Sequence, residues 1–88
     1  MEAIFIYTDN CKDCARMKRI LSTLPEDILI REYNFNRERD ETIAVSVENN
    51  VSDIPAFVFN GKIIEGKKFS SEELTEAIEE WKSNNTIR

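Results

Sequence analysis

The hydrophobic period of this chain changes at Asp9-Asn10, from a compact apolar run to a helical stripe, and such changes recur along the sequence. Ala3–Thr8 is short, rich in Ile and aromatic residues, and ended by the turn-forming Asp9-Asn10, the pattern of a buried strand. From Cys11 to Leu24, residues Cys14, Met17, Leu21 and Leu24 recur at spacings of three and four with Ile20 beside them. Lys12, Arg16, Lys18 and Arg19 fill the outer face, so an amphipathic helix is predicted, with Asn10 as its N-cap and Pro25 as its stop. Ile28–Phe35 reads as a second strand, its apolar content being Ile28, Leu29, Ile30, Tyr33 and Phe35. The charged stretch Arg37–Glu41 then leads into a helix with Ile43, Ala44 and Val47 on one face, ended by Asn49-Asn50. The β-branched residues of that helix lower its intrinsic propensity.

Ala56–Asn60 and Lys62–Glu65 form a predicted hairpin around Asn60-Gly61, because both residues tolerate the positive φ of a tight type I′ turn. A last helix starts at Ser70, where Ser70 and Glu73 stand in capping-box spacing, and Leu74, Ala77, Ile78 and Trp81 give it an apolar stripe. The order is strand–helix–strand–helix–strand–strand–helix. A strand–helix–strand unit makes a parallel pair by crossing over, and the hairpin adds antiparallel strands. The expectation is an α/β domain over residues 1–88, a four-stranded mixed sheet between helices in three α/β/α layers.

Composition narrows the function. With 88 residues the chain has one core, and most apolar side chains are committed to it, Tyr33, Phe57, Phe59, Phe69 and Trp81 among them. No stretch approaches the roughly 20 apolar residues of a membrane span. Met1–Tyr7 carries an acid where a secretory signal carries basic residues, so a cytoplasmic protein is expected. The net charge of −5 and the lack of one long basic run argue against nucleic acid as a partner. There is no His, which removes Cys–His and Ser–His catalysis and most catalytic zinc sites.

Two cysteines remain, Cys11 and Cys14, in the segment Cys11-Lys12-Asp13-Cys14 at the junction of the first strand and first helix. A permanent disulfide closing so short a loop would constrain the unfolded chain little, and a cytoplasmic setting disfavours one. A thiol at a helix N-terminus faces unpaired N–H groups and the positive end of the helix dipole, which favour thiolate. Cys11 is then the nucleophile that attacks a disulfide, and Cys14, one turn further in, is the resolving thiol. Lys12 lowers the pKa of Cys11 by its charge, while Asp13 acts the other way. A zinc or iron–sulfur site needs about four ligands, so metal binding would take a dimer or external thiols.

The second signal is Ile54-Pro55 ahead of the third strand. Ile4-Phe5-Ile6-Tyr7-Thr8, then Cys11-Lys12-Asp13-Cys14, followed by Asp53-Ile54-Pro55-Ala56-Phe57-Val58 and Asn60-Gly61-Lys62, resembles the thioredoxin/glutaredoxin superfamily over nearly the whole chain. The resemblance implies a thioredoxin-like fold in which Pro55 is cis and packs beside the cysteines, and in which the Ile54 backbone pairs with an extended substrate. Tyr7 and Phe35 are expected near the rim, and Gly66 matches a glutathione-contacting glycine.

The chain also departs from the family. The motif interior is Lys-Asp, Asn10 stands where thioredoxins usually carry Trp, and Phe5 takes the place of their buried acid. After the hairpin, Glu65-Gly66-Lys67-Lys68 replaces the Gly-Gly-x-Asp-type stretch with which glutaredoxins bind glutathione. The expected activity is reduction of protein or mixed disulfides by dithiol exchange in a monomer. No prosthetic group is bound, and the redox-active disulfide is reduced by a flavoprotein disulfide reductase or by glutathione. The alternatives are a glutathione-dependent glutaredoxin and a dimeric module holding a metal ion or iron–sulfur cluster. Glu65, whose charge should repel a glutathione carboxylate, favours the reductase, although Lys67 and Lys68 offer that carboxylate counter-charges.

Overall fold

The computed structural model describes residues 2–24 and 28–86, without the side chains of Lys67 and of residues 84–86. Its elements are β1 (Glu2–Tyr7), α1 (Lys12–Leu21), β2 (Leu29–Asn34), α2 (Arg39–Glu48), β3 (Ala56–Phe59), β4 (Lys62–Glu65), a 3₁₀ turn (Gly66–Lys68) and α3 (Ser71–Thr86). The sheet order is β2-β1-β3-β4. β1 and β2 run parallel, Glu2 opposite Leu29 and Tyr7 opposite Asn34, while β3 is antiparallel to β1 and to β4. This is the expected mixed four-stranded α/β arrangement.

The alternation of β1 explains the layers. Ala3 and Phe5 face one side of the sheet with Phe57, Phe59 and Ile64, and Met17 and Leu21 of α1 and Leu74 and Ala77 of α3 pack on them. Phe5, Phe57, Phe59 and Phe69 are fully buried, each worth about 1.5–3 kcal/mol of removed apolar surface. Their rings interlock edge to face: Phe57 meets Phe69 at 5.8 Å and Phe59 meets Trp81 at 5.7 Å. Ile6 and Ala56 point to the opposite side and are fully buried as well.

Local rules hold where the sequence carried them. Asn60 and Gly61 have φ of 52° and 76°, and Phe59 faces Lys62 across the two-residue turn. The Ser70 hydroxyl accepts the Glu73 N–H at 3.2 Å, the cap expected for α3. Asn50, past the end of α2, has φ of 59°. Pro25, expected to stop α1, lies outside the described residues; α1 itself ends at Leu21, with Ser22 as its C-cap.

Two expectations are corrected. The N-cap of α1 is Cys11, not Asn10, which adopts left-handed φ of 54° and turns the chain into the helix. In α2, Ile43 and Val47 do not form a buried face: they are 43% and 72% exposed, and the buried residue is Thr42. The Thr42 hydroxyl donates to Glu38 O at 2.6 Å, so this polar side chain enters the interior with its donor satisfied.

Candidate active site

Strand directions bring three loops to one edge of the sheet. β1 ends at Tyr7, β3 begins at Ala56 opposite Ile6, and β4 ends at Glu65 opposite Ala56. The loop to Cys11, the Ile54-Pro55 segment and the 3₁₀ turn at Gly66 therefore meet at this edge.

Cys11 and Cys14 form a disulfide with their Cα atoms 5.2 Å apart. Cys11 has extended φ and ψ of −125° and 117°, its carbonyl accepts the Ala15 N–H at 3.1 Å, and its Sγ accepts the Cys14 N–H, also at 3.1 Å. The sulfur thus occupies the place where a capping oxygen usually sits, against a donor left unpaired by the helix start. Cys11 is half-buried and Cys14 buried. Lys12 and Asp13 are exposed, and the Asp13 carboxylate lies 3.8 Å from Nε of Arg16.

A polar network anchored on the buried Asn34, with Asp9 and Asn36 exposed, fixes the loop ahead of Cys11. Asn34, at the end of β2, is 3% exposed, and its side-chain amide donates to the Asp9 carboxylate at 2.9 Å. The Asp9 N–H donates to Asn36 Oδ1 and the Asn36 N–H to Asn34 Oδ1, each at 2.8 Å, while the Phe35 N–H reaches Tyr7 O at the same distance. Tyr7 stacks on Phe5 at 4.8 Å and lies under Lys18 Nζ, 5.5 Å from its ring centre. With Cys11, Cys14 and Lys18 it lines a shallow cavity of about 220 Å³.

On the other side, the Ile54–Pro55 bond is cis. Ile54 is half-buried, and its N–H donates to Asp53 Oδ1 at 3.0 Å. Its side chain joins Phe35, Ile43, Val47 and Val51 along an open groove of about 370 Å³. Gly66 packs on Pro55: its N–H donates to Pro55 O at 2.8 Å, and a Cβ on Gly66 would stand 3.0 Å from Pro55 Cδ. A side chain on Gly66 would press on the proline ring. The Glu65 carboxylate accepts the Ser52 hydroxyl at 3.1 Å.

Sequence reasoning placed Arg16, Lys18 and Arg19 together on a basic outer face. Lys18 and Arg19 are exposed there, with Lys18 Nζ over the Tyr7 ring and 3.6 Å from Glu32, whereas Arg16 turns inward to backbone carbonyls of the Gly66–Phe69 segment. The Asp13–Arg16 spacing of three marks only their ion pair; nothing local points to Gly66 and Phe69 as partners of Arg16, or to Asp9 as the partner of Asn34.

No family model and no curated protein matches the sequence. Solved structures do match in shape. A point mutant of the thioredoxin-like protein BC3987 superposes with a TM-score of 0.68 at 16% identity, covering 86% of this chain and 97% of that one. The oxidised thioredoxin of Plasmodium falciparum superposes at 0.63 and 18% identity, covering 91% and 79% respectively. A further malarial protein gives 0.63 at 14% identity, with coverage of 90% and 93%. The fold is thioredoxin-like.

Proposed function

We propose that the protein is a thiol–disulfide oxidoreductase that reduces disulfides of polypeptides through Cys11 and Cys14. The observation that carries this is the seat of the Cys11 sulfur: it caps α1, receives the Cys14 N–H at 3.1 Å and is paired with a buried second sulfur. In the reduced form the same N–H and the helix dipole stabilise a thiolate on Cys11. That thiolate attacks one sulfur of a substrate disulfide; a Cys11–substrate bond forms, the substrate bond breaks, and the first substrate thiolate takes up a proton. Cys14 then gives up its proton to solvent and its sulfur attacks Cys11 Sγ, re-forming the Cys11–Cys14 bond and releasing the second substrate thiolate, which takes up a proton. Two electrons pass from the dithiol to the substrate.

No bound prosthetic group enters this cycle, which suits a monomer in the reducing cytoplasm. Electrons then come from a flavoprotein disulfide reductase in preference to glutathione. Two facts support that choice. The N–H and the carbonyl of Gly66, the residue matching a glutathione-contacting glycine, are both engaged within the protein, with Pro55 and Arg16. Glu65 adds a carboxylate beside it. Coupled assays with NADPH test the reading: turnover of a peptide disulfide is expected with thioredoxin reductase and little with glutathione plus glutathione reductase. Fast turnover of a glutathione-mixed disulfide by glutathione alone, without activity towards thioredoxin reductase, would make this a glutaredoxin. Metal or colour in the purified protein, with no turnover in either assay, would favour the cluster-holding dimer.

A further inference from the structure

Arg16 joins the cysteine-bearing helix to the segment that carries the cis proline. From α1 its Nη1 donates to Phe69 O at 2.5 Å and its Nη2 to Gly66 O at 2.8 Å. These two carbonyls bracket the 3₁₀ turn Gly66–Lys68. Gly66 is in turn bonded to Pro55 O, and a Cβ on it would press on the proline ring at 3.0 Å. The path from α1 through Arg16, Gly66 and Pro55 to Ile54 consists of direct contacts throughout. The Arg16 side chain is 35% exposed, and its Nε also lies 3.8 Å from the Asp13 carboxylate.

We propose that Arg16 is a positioning residue. By holding the Gly66–Phe69 turn, it fixes the offset between the Cys11 sulfur and the Ile54-Pro55 backbone, and so favours extended polypeptide disulfides over small ones. The proposal rests on the disulfide-exchange reading above. The reasoning is geometric. A peptide disulfide that lies along Ile54 presents its sulfur to Cys11 only if the two segments keep one separation. A small disulfide has no backbone to align and meets Cys11 from any approach. Misplacement of about 1 Å costs on the order of a hundred-fold in a positioned reaction. Arg suits the task because its planar fork reaches two carbonyls at once, whereas Lys presents a single compact ammonium.

The test compares single-turnover reduction, by the pre-reduced protein, of a ten-residue peptide bearing a central mixed disulfide with 5-thio-2-nitrobenzoate and of bis(2-hydroxyethyl) disulfide. In Arg16→Met the second-order rate with the peptide should fall roughly ten- to a hundred-fold, and the rate with the small disulfide far less. Arg16→Lys should behave like Arg16→Met, with the reduction potential of the Cys11–Cys14 pair held at the wild-type value. Gly66→Ala, which pushes on Pro55 from the other end of the same path, should show the same peptide-selective loss. The double variant should be no worse than the more damaged single one, since both act on one coupling. Should Arg16→Met fail to fold by circular dichroism, Arg16→Lys and Gly66→Ala decide the matter. Recovery of the peptide rate in Arg16→Lys would mean that charge, not the fork, is what counts, and would overturn the proposal. So would an equal loss on both substrates. A wild-type protein that reduces neither probe would instead remove the exchange reading itself.

Discussion

Cys11 holds two positions at once, the N-cap of α1 and one end of the disulfide. The donor that a capping serine would satisfy is here directed at sulfur, while the neighbouring charges Lys12 and Asp13 oppose one another and are exposed. In the reduced protein Cys11 is therefore expected to ionise below the roughly 8.5 of a free thiol, and Cys14, buried behind it, is not. Alkylation with iodoacetamide at mildly acidic pH, followed by peptide mapping, should label Cys11 first; equal labelling, or preference for Cys14, would reverse their roles. The sign for stability follows. With a folded-state value below the unfolded one, the stabilisation of the reduced form is fully present above about 8.5 and is lost as pH falls through the folded-state value. The cysteine pair was legible in the sequence because its spacing and its place at a strand–helix junction are local. Arg16 was not, because its partners Gly66 and Phe69 are 50 and 53 residues away.

At the level of elements, α1 and α2 differ in how their sequences decided their packing. The stripe of Cys14, Met17 and Leu21 in α1 is buried as its spacing requires. In α2 the stripe of Ile43 and Val47 lines the open groove beside Ile54, and Thr42 takes the interior position. Met17→Ala should accordingly cost about 2–5 kcal/mol, whereas Val47→Ser should change stability by no more than about 0.5 kcal/mol. Denaturant midpoints at constant m-value measure both, and a loss in Val47→Ser as large as in Met17→Ala would mean that α2 packs through its apolar stripe after all. The hairpin and the cap of α3 were readable because each depends on a few adjacent residues, Asn60-Gly61 for the turn and Ser70 and Glu73 for α3, whereas the N-cap of α1 fell to Cys11 and not to Asn10. The face of α2 was not readable, since apolar residues at helical spacing fit a core and a groove equally well.

Across the whole molecule, one edge of the sheet gathers the Cys11 loop, Ile54-Pro55 and the Gly66 turn, and the chain bonds them into one surface through Asn34, Asp9 and Arg16. The thioredoxin-like fold could be read from element order and two short motifs. The bracing of that edge could not, because it is made by polar side chains whose partners lie on other elements. In the proposed exchange, a partner is held covalently by one cysteine and released by the other. The most direct measurement is mass spectrometry of mixed disulfides after the Cys14→Ser and Cys11→Ser variants, each pre-reduced, meet the same disulfide-containing peptide. Cys14→Ser is expected to hold the peptide in a lasting bond to Cys11, since only the inner thiol displaces it, and Cys11→Ser to hold almost none. Capture by Cys11→Ser equal to that by Cys14→Ser, or capture by neither, would contradict a mechanism in which Cys11 attacks and Cys14 resolves.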